Sequence, residues 1–156
     1  MTGRIILIGM PASGKTTIGA ALSRALSVPL YDADALTEQT VGCSIPEIFA
    51  AEGEAAFRAL ERRTLEALCT ETETPCVIAT GGGAVLTEQN RELLRRSGTV
   101  FWLDRTVENI MSTDYAAGRP LLAGGEAALR AMYAVRCPLY AACAHYRVPD
   151  GTVDQM

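Results

Sequence analysis

Aromatic side chains are scarce in this sequence: Phe, Trp and Tyr make up 6% of its 156 residues. A surface that stacks successive nucleic-acid bases has little to build from. An excess of positive charge is missing as well. Fourteen Lys and Arg against eighteen Asp and Glu leave a net charge of −4, the wrong sign for wrapping a nucleic-acid backbone. Any anion must be held locally, by a few placed cations and backbone N–H groups. No apolar run approaches the roughly 18 residues that a membrane span needs. The first residues lead straight into a strand pattern, without the charged, apolar and cleavage regions of a leader. Five cysteines (Cys43, Cys69, Cys76, Cys137, Cys143) form no CxxC pair, and their number is odd. With His145 as the one histidine, a zinc cluster has no support. The expectation is free thiols in a reducing cytoplasm, and a monomer, since no stretch reads as a large exposed apolar face.

What is present is 49% hydrophobic residues in a chain of ordinary single-domain size. Strand and helix patterns alternate. Arg4–Ile8 is a short apolar run ended by Gly9, and Lys15–Leu26 has apolar and small residues at helical spacing. Val28–Tyr31 reads as a second strand. Ser44 and Glu47 form a capping box over an apolar face of Ile45, Ile48 and Phe49. Gly53 separates that helix from another, which runs from about Glu54 to Cys69. Cys76–Thr80 is a third strand. Thr87–Ser97 is a capped helix, and Thr99–Leu103 a fourth strand. A helix near Val107–Tyr115 follows, then a glycine-rich loop at Gly118–Gly125. Helices are expected at Glu126–Val135 and Pro138–His145, with a last strand at Tyr146–Val148. Such alternation favours a parallel sheet covered on both faces.

Gly9-Met10-Pro11-Ala12-Ser13-Gly14-Lys15-Thr16 matches G-x-x-x-x-G-K-[ST], with a strand before it and a helix after. Backbone N–H groups of such a loop, together with the positive helix end, cradle phosphate oxygens. Lys15 reaches the β- and γ-phosphates, and the Thr16 hydroxyl can ligate Mg²⁺. Asp32 and Asp34 stand where the second strand ends, the side on which parallel sheets bind ligands. They either divide the work of holding Mg²⁺ and accepting a hydroxyl proton, or cap the next helix. Arg58 is a ligand for an anion or a surface cation. Gly81-Gly82-Gly83 lets backbone donors approach a small ligand, or is a plain tight turn. Arg119, in the glycine-rich stretch, suits a lid that closes over phosphates.

These pieces together resemble the shikimate kinase family. The runs that carry the likeness are Tyr31-Asp32-Ala33-Asp34, Gly42–Phe49, Gly53–Glu61 with its Phe57-Arg58 pair, Thr80–Val85, Asn90-Arg91, Arg119-Pro120-Leu121-Leu122 and Arg136-Cys137-Pro138-Leu139-Tyr140. They keep the family's order over nearly the whole chain. The resemblance implies a P-loop NTPase of nucleoside-monophosphate-kinase type. That is a single three-layer α/β/α domain over 1–156 with a five-stranded parallel sheet, substrate-binding helices at about 34–62 and a mobile lid at about 113–125. It implies ATP- and Mg²⁺-dependent phosphorylation of the 3-hydroxyl of shikimate, on the route to aromatic amino acids. By position, Asp34 would bind ring hydroxyls and act as base. Arg58, Arg136 and the backbone of Gly81, Gly82 and Gly83 would hold the carboxylate. Ala12, Ser13, Gly14, Lys15, Thr16, Thr17 and Arg119 would hold ATP, with Lys15 and Arg119 stabilising the transferring group. Thr16 and Asp32 would hold the metal.

Three positions depart from the family pattern. Ala12 replaces a usual glycine, which is acceptable if its φ is negative. Met111-Ser112-Thr113-Asp114 lacks the arginine commonly found near Ser112 against the base. The sequence ends at Met156, where the family usually continues into a last helix on the nucleotide side. Loose nucleotide choice is therefore expected, unless Arg105 or Arg147 replaces the missing arginine. Two other functions could use the same parts: a P-loop kinase of another hydroxy acid such as gluconate, and a catalytically silent ligand-binding domain. The set Asp34, Arg58, Gly81–Gly83 and Arg136 favours a cyclic carboxylated polyol over the first. Intact Lys15, Thr16, Asp34 and Arg119 argue against the second.

Overall fold

The computed structural model describes residues 3–112 and 124–150. Five strands form one fully parallel sheet: β1 (Arg4–Ile8), β2 (Leu30–Asp32), β3 (Cys76–Ala79), β4 (Thr99–Asp104) and β5 (Tyr146–Pro149), in the spatial order β2-β3-β1-β4-β5. The helices are α1 (Lys15–Leu26), α2 (Ala33–Val41), α3 (Ile45–Glu52), α4 (Glu54–Glu71), α5 (Glu88–Ser97), α6 (Val107–Ile110) and α7 (Gly125–Cys143). No helix among the described residues is long and apolar enough to cross a membrane.

Alternation along β1 divides the core. Ile6 and Ile8 face a large cluster with Leu65 and Leu68 of α4, Leu94 of α5 and Tyr140 of α7, while Leu7 faces Val77, Leu103 and the apolar side of α1. β3 is buried along its whole length, as a central strand covered on both faces must be. The register sets Leu7 and Asp32 opposite Ala79, and Ile8 opposite Trp102. The residues that leave β1, β2, β3 and β4 therefore emerge along one edge. That edge carries the P-loop, Asp32, Thr80–Gly83 and Arg105.

Local chemistry sets most boundaries where the pattern predicts them. The Ser44–Glu47 capping box is complete, and Thr87 and Thr106 cap α5 and α6 with their side chains. β2 differs: it covers Leu30–Asp32 instead of Val28–Tyr31, because Asp32 completes the strand and also caps α2. The two helices expected at Glu126–Val135 and Pro138–His145 are one helix, α7, which runs through Pro138. Proline removes one donor and frees the carbonyl four residues back. Both Pro138 and Ala134 lie on the exposed face, so water can satisfy that carbonyl, while Leu129, Tyr140 and Cys143 anchor the buried face. Helix α6 is shorter than the expected Val107–Tyr115; the proposed lid lies outside the described residues except for Gly124 and Gly125 at the start of α7.

Helix α1 ends in a Schellman turn, with Ser27 N–H on Arg24 O at 3.3 Å and Val28 N–H on Ser23 O at 3.0 Å. The turn holds the exposed Ser27 at φ 53, a left-handed conformation that glycine adopts without the Cβ penalty. Ser27→Gly is expected to raise stability by about 0.5–1 kcal/mol, or roughly 1–4 °C in Tm for a chain of this size. Thermal unfolding monitored by circular dichroism checks it; an unchanged or lower Tm would remove the strain argument.

Candidate active site

Between β1 and α1 the P-loop closes on itself, with Ser13 N–H bonded to Met10 O at 3.1 Å. Gly9 and Gly14 have φ 153 and 94. Ala12 has φ 62, so the negative φ expected of an alanine here is not adopted. Its carbonyl is held by Arg105, whose guanidinium donates to Ala12 O at 3.1 Å. The loop's path thus imposes on alanine a conformation that suits glycine, and a cation from the end of β4 supports it.

Lys15 is 9% exposed, and its Nζ donates to Gly9 O at 2.7 Å and Met10 O at 2.8 Å. Burial lowers its pKa to about 8, against the opposing pull of Asp34 and Asp32. A polyphosphate at the loop would restore the favourable charge environment. Among the described residues the buried Ser13 hydroxyl has no partner, as suits a group placed to meet a phosphate oxygen. The residues present therefore fit a nucleoside triphosphate.

Asp32 caps α2 and also reaches the first turn of α1. Its Oδ1 accepts from Ala35 N–H at 3.0 Å and caps α2; its Oδ2 accepts from the Thr16 hydroxyl at 3.0 Å. Two hard oxygens side by side at the phosphate cradle fit a Mg²⁺ ion that keeps several waters. Asp34, in the first turn of α2, faces the same cavity of about 410 Å³. Burial raises its pKa to about 6, and Glu61 and Asp32 push in the same direction. This is the range in which a carboxylate is a useful general base near neutral pH.

The three glycines after β3 are required by their neighbours. A Cβ on Gly81 would lie 2.5 Å from Asp34 Oδ1, and one on Gly82 would lie 2.7 Å from the Pro11 ring. A Cβ on Gly83 would overlap the Arg58 guanidinium. The segment lets α2, the P-loop and α4 meet without side chains between them.

Arg58 and Gly83 line an adjoining cavity of about 200 Å³ rather than the phosphate cavity. Arg58 pairs with Glu61 at 2.9 Å and with Glu54 at 3.4 Å, and lies over the Phe57 ring. Among the described residues, its Nε and the Glu61 Oε2 are buried without a hydrogen-bond partner. Arg136 lies on α7, close enough to influence both Lys15 and Glu61. Ala12, Gly14, Lys15, Thr16, Thr17, Asp32, Asp34, Gly81 and Gly82 thus share one cavity; Ser13 sits behind it and Arg119 lies outside the described residues.

Of the two replacements considered for the missing arginine, Arg147 is engaged elsewhere. It makes paired bonds of 2.8 and 2.7 Å to Asp104 and lies over the Trp102 ring. Arg105 lines the phosphate cavity. Two further residues stand in the quoted runs without a role of their own. Glu61 could be found from its i, i+3 spacing to Arg58. Tyr140 has no such signal, because its partner, Gly82, is 58 residues away.

The shikimate kinase family model matches residues 11–155. The shikimate kinase of Symbiobacterium thermophilum is 44% identical over 149 residues, which cover 92% of this chain and 84% of that protein. Among solved structures, shikimate kinase from Acinetobacter baumannii in complex with shikimate matches with a TM-score of 0.88 and 37% identity, over 96% of this chain and 84% of that one. The Aquifex aeolicus shikimate kinase matches with a TM-score of 0.83 and 35% identity, over 97% and 90% of the two chains. The fold, the phosphate cradle and these relatives agree, and the chain belongs to the shikimate kinase family.

Proposed function

We propose that this protein transfers the γ-phosphoryl group of ATP to the 3-hydroxyl of shikimate, giving shikimate 3-phosphate and ADP. The observation that carries this is the placement of Asp34: its carboxylate shares the cavity of the P-loop and backs onto the glycine turn that Arg58 also abuts. Nucleotide and acceptor are thereby held on either side of one carboxylate. The A. baumannii kinase, with shikimate bound, supports this choice of acceptor.

In this reaction the acceptor oxygen forms a bond to the γ-phosphorus as the bond to the β–γ bridging oxygen breaks. The hydroxyl proton passes to Asp34, and ADP leaves with the bridging oxygen. Such a transfer depends on positioning and on stabilising spread negative charge more than on covalent chemistry. Lys15 and the loop N–H groups stabilise charge on the phosphates. We assign the same task to Arg119 from its place in the sequence. Thr16 and Asp32 would hold Mg²⁺, which neutralises charge on the β- and γ-phosphate oxygens. Arg58, Arg136 and the glycine backbone orient the acceptor through its carboxylate; a planar guanidinium matches that group. The reading assigns the protein to the cytoplasm as a monomer, with 113–125 as the lid.

A coupled ADP-release assay over a panel of hydroxy acids is expected to give Mg²⁺-dependent turnover with shikimate and at most traces with gluconate. Equal turnover with gluconate would overturn the acceptor assignment. Arg58→Ala and Arg136→Ala should each weaken shikimate binding by roughly 2–5 kcal/mol and leave ATP affinity nearly unchanged; calorimetry that found shikimate affinity intact in both would misplace the carboxylate clamp.

The pH dependence follows from Asp34. Only the ionised carboxylate accepts the hydroxyl proton, and its pKa is about 6 in the free protein. The ratio kcat/KM for shikimate should therefore fall as pH drops through about 6, about tenfold per unit below it. A profile flat from pH 7 to pH 5 would contradict the base assignment.

A further inference from the structure

Tyr140 is wholly buried on α7, one helical turn after Arg136. The i, i+4 spacing sets the two side chains on one face. The Tyr140 hydroxyl donates to Gly82 O at 2.6 Å. Its ring stacks on Trp102, centroids 5.9 Å apart, so the hydroxyl has little freedom to leave. Arg136 and Arg58 both act electrostatically on the same oxygen. A phenol has one proton and two lone pairs. With its proton committed to Gly82, it remains an acceptor for Arg136. Burial keeps that proton in place by raising the hydroxyl to about 12.

We propose that Tyr140 is a positioning residue for the acceptor's carboxylate: one hydroxyl fixes the Gly82–Gly83 peptide and aims Arg136 at the same anion. The peptide is planar, so anchoring Gly82 O also fixes the direction of the Gly83 N–H. Two groups from distant parts of the chain, the turn after β3 and the middle of α7, are thereby set relative to each other before the acceptor arrives. The effect belongs to the carboxylate end of the acceptor and leaves the phosphate cradle alone. This inference rests on the carboxylate clamp proposed above.

Tyr140→Phe removes the hydroxyl and keeps the ring against Trp102. The expected result is a rise in KM for shikimate of about 5- to 20-fold, with KM for ATP within twofold and kcat within threefold of the parent. In an Arg136→Ala background the same change should add less than twofold, because the two residues act as a unit. A shikimate analogue with the carboxylate reduced to a hydroxymethyl group gives a second measurement. Its already weak affinity should be the same for parent and Tyr140→Phe. A purely structural tyrosine would instead move shikimate, analogue and ATP together, and that result would overturn the proposal. So would an unchanged KM for shikimate in Tyr140→Phe alongside a raised one in Arg136→Ala, which would leave the clamp standing. If Arg136→Ala also left KM for shikimate unchanged, the clamp itself would fail and the role of Tyr140 with it.

Discussion

The site depends on a stretch of backbone where any added side chain would displace a neighbour. At Gly81, Gly82 and Gly83, successive Cβ positions are taken by the Asp34 carboxylate, the Pro11 ring and the Arg58 guanidinium. Each neighbour comes from a different element: α2, the P-loop and α4. A parallel sheet delivers such elements to one edge, but spaces its strands nearly 5 Å apart. Three glycines let side chains from these elements pack directly against the backbone that leaves β3. Van der Waals exclusion at these three positions therefore ties the phosphate cradle to the acceptor side.

Electrostatics then works within that packing. A chain of net charge −4 holds an anion by burying few cations and surrounding them with placed carboxylates. Lys15 is desolvated against the loop carbonyls and balanced by Asp34 and Asp32. Arg58 is balanced by Glu61. The same burial that lowers the lysine raises Asp34, so one cleft moves both groups toward neutrality. Leaving either charge without its partner in that cleft would cost several kcal/mol, which explains why cations and carboxylates occur there together.

Features with a local cause were legible in the sequence. The P-loop, the capping box at Ser44 and the cap at Thr87 rest on residues within a few positions of each other. The assignment of Asp34, Arg58 and Arg136 to the acceptor side rests on the family's motifs rather than on spacing alone. Long-range or solvent-dependent features were not legible in the sequence. Pro138 suggested a break because local chemistry cannot report that the freed carbonyl faces water. Ala12 suggested a negative φ because its support comes from Arg105, 93 residues away. The glycine turn suggested ligand contact, while the crowding that requires it comes from three other elements. Tyr140 was only one letter of a motif until α7 brought its hydroxyl to Gly82.

The most direct test of the shared-edge account is Gly81→Ala, assayed for steady-state turnover with folding checked by thermal melting. The added methyl would meet the Asp34 carboxylate, a side-chain end that can move aside without unfolding the protein. The account predicts a Tm within a few degrees of the parent, nucleotide affinity nearly unchanged, and kcat lowered by at least about a hundredfold, the scale of a misplaced general base. A Gly81→Ala protein that folds normally and turns over at the parent rate would contradict it.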